Sequence, residues 1–185
     1  MKSKRDRLIA AARVRFYQQG VARTTLADIA QEAQVPLGNV YYHFRTKEAL
    51  LEAVIEEHIQ RLQTHFARWD RDIAAPQERL LALLRWEYGG AASLARYGCP
   101  YGSLAQEIDK EETPLVNVAV RMLQTYLDWV EQQFRQLDKD EQEAKDLAFD
   151  MIAWLQGSIL LSASFRSPAL LERKLQRMEQ WVRSQ

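Results

Sequence analysis

The sequence predicts an all-α protein of about nine helices, with a small N-terminal group of three and a larger C-terminal body. Three observations carry this. Apolar residues recur at three- and four-residue steps almost throughout, and no stretch shows the period-two alternation of a half-buried strand. Alanine, leucine, glutamine, glutamate and arginine dominate, and all are good helix formers. Glycine and proline number only 7 and 5 among 185 residues, too few for the turns of an all-β fold.

The first helix runs from about Lys4 to Gln19, with Leu8, Ala12 and Phe16 on one stripe and Gly20 as its stop. Thr25 followed by Asp28 resembles a capping box at the head of LADIAQEA. Pro36 disfavours helical backbone at Val35 and suits the first turn of a third helix, Leu37 to about Phe44. Thr46 is the N-cap of a fourth helix reaching roughly Trp69. Pro76 opens a fifth helix to about Leu94. The break Tyr97-Gly98-Cys99-Pro100-Tyr101-Gly102 follows, then a short helix from Ser103 to Ile108. Pro114 opens a helix carrying Leu115, Met122, Tyr126, Val130 and Leu137; Glu141 to Phe165 is long and apolar; Ser167-Pro168 caps the last helix. The domains implied are residues 1–48 and residues 49–185.

Composition narrows the function. One cysteine, Cys99, excludes an internal disulfide framework. No signal-like run and no stretch long enough to span a bilayer is evident, so a soluble, cytoplasmic protein with no membrane partner is expected. The net charge of zero hides an asymmetry: residues 1–50 carry nine bases against four acids. A basic first quarter fits an end that meets a polyanion. No Glu-x-x-His pair repeats, and there is no phosphate loop or nucleophile motif. An enzyme is not expected, nor a cofactor. His58 and His65 share a face, as solvent-facing or pocket-lining residues, but too few ligands accompany them for a metal.

The third helix, VPLGNVYYHF from Val35, is too short to stand alone in water. On a helical wheel Val40, Phe44 and Leu37 form an apolar stripe that docks it. Tyr42 and His43 fall within about 60° of Asn39 on the other side, with Gly38 at the edge and Tyr41 on the flank. A helix, a tight turn and a short helix with a polar outer face is the geometry of a helix-turn-helix DNA reader. Asparagine pairs with adenine edges, histidine donates to guanine or phosphate, and tyrosine hydroxyls hold phosphate oxygens. Lys47, at the head of the fourth helix, meets a phosphate together with the free N–H groups there.

The run T-T-L-x-x-I-A-x-x-A from Thr24 to Ala33, then V-P-x-G-x-V-Y-Y-H-F from Val35 to Phe44, then K-E-x-L from Lys47 resembles the TetR family of bacterial transcriptional regulators. The spacing fits without a gap over roughly the first fifty residues. The resemblance implies an all-helical homodimer on a palindromic double-stranded DNA operator, released by a small-molecule inducer bound in the C-terminal body. It implies DNA contacts at Thr25, Leu37, Gly38, Asn39, Tyr41, Tyr42, His43 and Lys47. Leu37 departs from the polar residue, commonly serine, that many members carry there. Leucine offers a base only apolar contact with a thymine methyl; its wheel position equally allows a core role.

Beyond residue 50 the residues themselves must speak. Trp86, Cys99, Tyr101, Tyr126, Trp129 and Trp154 are the candidates for lining an inducer chamber, since such sites are mostly apolar with a few polar groups. Leu147, Met151, Leu155, Ser158 and Ser162 make a stripe on the penultimate helix, and the last helix has one of its own. The two suit a four-helix dimer interface. Gly98-Cys99 is similar to a Gly-Cys in a subgroup of the family with aldehyde-, electrophile- or acrylate-responsive repressors. A cysteine near a helix N-terminus can be reactive. The alternatives to a ligand-responsive repressor are therefore a redox or electrophile sensor acting through Cys99, and a helical dimer with no DNA-reading role.

Overall fold

A computed structural model describes residues 3–109 and 115–185. Ten helices are seen among these residues: α1 (Lys4–Gln19), α2 (Leu26–Ala33), α3 (Leu37–His43), α4 (Lys47–Asp72), α5 (Pro76–Gly89), α6 (Ala91–Tyr97), α7 (Pro100–Asp109), α8 (Val116–Arg135), α9 (Glu141–Ser164) and α10 (Pro168–Arg183). The all-α class is as expected. The helix expected over 76–94 is two, because the chain breaks at Gly89-Gly90, a glycine pair the sequence reading passed over. α7 starts at Pro100, one turn earlier than expected. Pro114, expected to open α8, lies outside the described residues.

The chain forms two compact units. The first holds residues 1–61 and 103–122. Two capping boxes set its helix starts: Ser3 with Asp6 at α1, and Thr25 with Asp28 at α2. Leu8, Ala12, Ile29, Val40, Leu50, Val54 and Ile55 are fully buried and form its core. Arg7 of α1 places its guanidinium on the last carbonyls of α2, Ala33 and Gln34, where a cation meets the negative end of the helix. Arg15 pairs with Glu32 at 2.7 Å. From α7, the Glu107 carboxylate accepts the backbone N–H of Ala22 at 2.9 Å. Gly20, with φ of 83°, lies against that carboxylate; a Cβ there would come within 3.0 Å of Oε1.

The second unit holds residues 62–102 and 123–185. Leu80, Leu81, Leu83 and Leu84 of α5, Met151 and Leu155 of α9, and Leu171, Leu175, Met178 and Val182 of α10 are its core. Arg79 fastens the start of α5: it donates to the carbonyls of Asp70, Ile73 and Ala74 and to the side chains of Gln133 and Gln136.

α9 corrects the expectation about length and hydropathy. By those measures alone it could cross a membrane, with a mean hydropathy of 1.3 over its apolar window. The reason is that apolar residues also stand outside its buried stripe. Met151, Leu155, Ser158 and Ser162 of the expected stripe are buried within the protomer, with Leu147 half-buried. Away from that stripe Phe149 and Leu160 lie along one line of the helix, while Leu161 and, just past the helix end, Phe165 lie apart from them; each is more than half exposed.

Candidate functional site

The short helix α3 is held at three points. Val40 is fully buried, and Val35 before the helix and Phe44 after it are buried as well. Phe44 is already extended, with φ of −139°, so the helix ends at His43 and the phenyl ring folds back under it. The guanidinium of Arg5 stands 5.2 Å from that ring's centre. What the helix presents is aromatic and polar. Tyr42 is 84% exposed and Tyr41 53%, and Tyr42 meets the His43 ring edge-on at 5.0 Å. Asn39 and His43 are half-buried and Gly38 is exposed with open space around it. Leu37, which the wheel put on the docking stripe, is 42% exposed. It sits in the first turn of α3, so that end of the stripe is partly in solvent.

Two of the flanking residues are already engaged. The Thr25 hydroxyl accepts the N–H of Asp28 at 3.2 Å and donates its proton to the Asp28 carboxylate at 2.7 Å. That bond holds the Asp28 carboxyl below its ordinary range. Thr25 thus sets the head of α2 and has only acceptor capacity left. Lys47 donates through Nζ to the Val21 carbonyl at 2.9 Å and keeps two further donors. The sequence count of nine bases therefore overstates the free charge: Arg7, Arg13, Arg15 and Lys47 hold their own unit together. Arg23 and Arg45 are exposed beside α2 and α3, and the charge count was the signal for them, although no motif singled them out. A groove of about 520 Å³ between α1 and α4 is lined by Arg5 and by Asp6, Glu52, Glu56 and Glu57, with Glu56 and Glu57 paired to Arg121 and Arg13, and none of the six ligand candidates reaches it.

Five of those six candidates meet inside the second unit. Trp86, Trp129, Tyr126, Tyr101 and Cys99 join Phe66 and Trp69 of α4 in one aromatic cluster. The Phe66 and Trp129 rings stack at 4.4 Å, and Tyr126 packs against Phe66 and against Tyr101 at 5.5 Å each. Trp69 links Trp129 to Trp86. Trp154 is elsewhere, half-buried against Trp181 at 6.2 Å. At the centre is a group the sequence reading missed. Glu87 is buried and accepts the Tyr126 hydroxyl at 2.7 Å. Burial pushes its carboxyl up to about 7. The signal was present: Leu80, Leu83, Leu84 and Glu87 follow one stripe, so an acid stands where the core asks for a leucine.

Cys99 is also inside. Burial and the neighbouring Glu87 push its thiol up to about 11, which outweighs the Gly102 N–H on its sulfur at 3.4 Å. A Cβ at Gly102 would lie 2.9 Å from Gln156 Oε1, so that flexible side chain would have to shift. The helix start expected to activate Cys99 is thus overruled by burial, and at neutral pH it is a thiol. His58, expected to face solvent or a pocket, is buried on α4, and desolvation together with Arg13 and Arg61 lowers it to about 4. His65 is half-buried against Trp86 at 4.9 Å.

Residues 8–54 match the model of bacterial regulatory proteins of the tetR family, and residues 59–176 match the C-terminal domain of LmrA/YxaF-like transcriptional regulators. The chain belongs to the TetR family. It is 45% identical over 64 residues to the transcriptional regulator TtgR of Pseudomonas putida, a match spanning 35% of this chain but only 30% of TtgR. It is 30% identical over 169 residues to the transcriptional repressor DhaR of a Mycobacterium species, covering 84% of this chain and 80% of DhaR. A TetR regulator from Legionella pneumophila shares the fold at a TM-score of 0.84 and 20% identity, over 97% of each chain. As a TetR-family protein it is a helix-turn-helix transcriptional regulator, and its relatives are regulators rather than enzymes.

Proposed function

We propose that this TetR-family protein is a cytoplasmic, ligand-responsive repressor that binds a palindromic operator as a homodimer and is released by a small-molecule inducer. Residues 1–48 would read the DNA and residues 49–185 would bind the inducer and the second protomer. One observation carries the DNA-reading half: Tyr41 and Tyr42 stand exposed on a seven-residue helix whose Val40 anchor is fully buried. Large aromatics with hydroxyls, held rigidly in water, favour a phosphate-bearing partner. Asn39 and His43 supply the base-reading groups, Gly38 allows close approach, and Leu37, exposed as well, has apolar contact to offer a thymine methyl. Thr25 and Lys47 contribute through the start of α2 and the remaining donors of the ammonium.

The exposed apolar residues Phe149, Leu160 and Leu161 of α9, with Phe165 just past its end, support dimerisation through the last two helices. A twofold partner would present the second α3 to a second half-site. Selection of bound duplexes from a random pool tests the reading. The expected product is an inverted repeat whose affinity falls steeply with salt and which a compound from a small-molecule panel releases. No salt-sensitive affinity for any duplex, the chain's own upstream region included, would overturn it in favour of a helical dimer without a DNA role.

A further inference from the structure

The turn between α1 and α2 is held at a single peptide group. The Val21 carbonyl accepts the Lys47 ammonium at 2.9 Å, and the N–H of the same peptide, that of Ala22, donates to the Glu107 carboxylate at 2.9 Å. A cation from the head of α4 and an anion from the last turn of α7 thus face each other across one C=O and one N–H. Among the described residues no direct ion pair joins them, although Val21, Lys47 and Glu107 line one small cleft. Each charge bonds the end of the peptide dipole that it favours, and hydrogen bonds strung through a peptide in this way polarise one another. The turn is shaped around this contact. Gly20, with φ of 83°, omits the Cβ that would press on the Glu107 carboxylate. Thr24 closes the turn from inside: its hydroxyl donates to the Gly20 carbonyl at 2.7 Å and its N–H to the Val21 carbonyl at 3.2 Å. Leu104 and Ile108 of α7 are buried, so the helix gives the carboxylate a fixed origin.

We propose that Glu107 is a positioning residue for operator binding: through the Val21–Ala22 peptide it fixes the Lys47 ammonium, whose two remaining donors then meet a DNA phosphate. This rests on the DNA-reading role of the first unit above and adds to it a residue that touches no DNA. A lysine side chain is flexible, and ordering it during binding lowers affinity; anchoring it beforehand on a polarised carbonyl removes that cost. The sign of the effect separates positioning from simple electrostatics. Glu107 is an acid beside a basic first fifty residues, so by charge alone its removal would tighten DNA binding. Positioning through Lys47 requires the opposite.

The full-length protein and a labelled duplex, selected from a random pool as above, test this by anisotropy between about 50 and 200 mM salt. Glu107→Ala should weaken binding by roughly fivefold or more, because the ammonium is no longer ordered in advance. It should also make the salt dependence shallower, towards that of Lys47→Met, which removes about one phosphate contact per protomer. Glu107→Gln keeps an acceptor for the Ala22 N–H and should recover most of the loss. Glu107→Asp keeps the charge but draws the carboxylate back, and should weaken binding in the same direction as Glu107→Ala. In a Lys47→Met background Glu107→Ala should add less than about twofold, since the group it acts through is gone. Melting temperatures show which variants are folded during the titration, and Glu107→Asp carries the comparison if Glu107→Ala is not. Unchanged or tighter binding by these two variants overturns the proposal. So does a loss that adds in full to that of Lys47→Met and leaves the salt slope intact, as general loosening of the unit would give. If wild type binds the duplex and Lys47→Met binds it equally well with the same slope, Lys47 holds no phosphate and only this proposal falls. If wild type shows no salt-sensitive affinity for any duplex, the DNA-reading role falls and this proposal with it.

Discussion

The first unit buries a base, His58, and the second an acid, Glu87; burial disfavours the charged form of each, with opposite pH consequences. The first unit turns its remaining polar groups outward, as Tyr41 and Tyr42 do, and uses several of its charges to tie helices together through Arg7, Arg15 and Lys47. The second unit keeps a carboxyl, a thiol and two tyrosines inside. The first unit sets close packing beneath exposed polar groups, whereas the second encloses polar groups within its own packing.

Substitutions at the two buried groups test that contrast most strongly. Glu87 titrates from 4.5 in the unfolded chain to about 7 in the folded one, so the folded state binds the extra proton and stability falls as pH rises through that window. Glu87→Gln should abolish roughly 3 kcal/mol of this loss, read as the wild-type-minus-variant difference in urea unfolding between pH 4.5 and 7. His58 mirrors it: lowered from 6.5 to about 4, it makes wild type lose a similar or slightly smaller amount, roughly 3 kcal/mol, as pH falls through that range. His58→Gln should flatten that acid limb in the same assay. Parallel pH profiles for wild type and either variant would mean the group is hydrated in the folded state.

The next tests lie within the first unit. Val40→Ala should lower unfolding free energy by about 2 kcal/mol, because it removes buried methyl groups beneath α3. Thr25→Ala should cost about 1 kcal/mol through loss of the α2 cap, with the drop visible in thermal melts. Tyr42→Phe, on a ring almost wholly in water, should change stability by less than about 0.5 kcal/mol while weakening operator binding in a fluorescence titration. Equal melting losses for Val40→Ala and Tyr42→Phe would show that the two faces of α3 are exchanged.

The first unit was largely legible in the sequence because its determinants are local. Thr25 and Asp28 are three residues apart, Thr46 caps α4 through the Ala49 N–H, and the two faces of α3 follow from helical spacing. Leu37 was ambiguous because a wheel gives direction but not how far the neighbouring helix extends over the first turn. In the second unit the spacing identified Tyr126 and Trp129 as buried but not which rings they meet. Trp86, on α5, joins them and Trp154, on α9, does not, a distinction set by contacts between elements far apart in sequence. Glu87 was legible in principle, as a charge on an apolar stripe. The exposure of Phe149 and Leu160 on α9 was not legible because spacing shows which apolar residues share a stripe but not which of them a neighbouring helix covers.

The hydrogen bond between Glu107 and Ala22 closes a separation of 85 residues. On the ribosome, α1 to α3 emerge long before the carboxylate that will hold the loop between α1 and α2. Until more than half the chain has been made, that amide faces water and Gly20 has nothing against it. Completion of the first unit is therefore a late event in synthesis although its helices are the first to appear. An N-terminal fragment cut at residue 61 would keep its three-helix core and lack the contact that immobilises the turn between its first two helices.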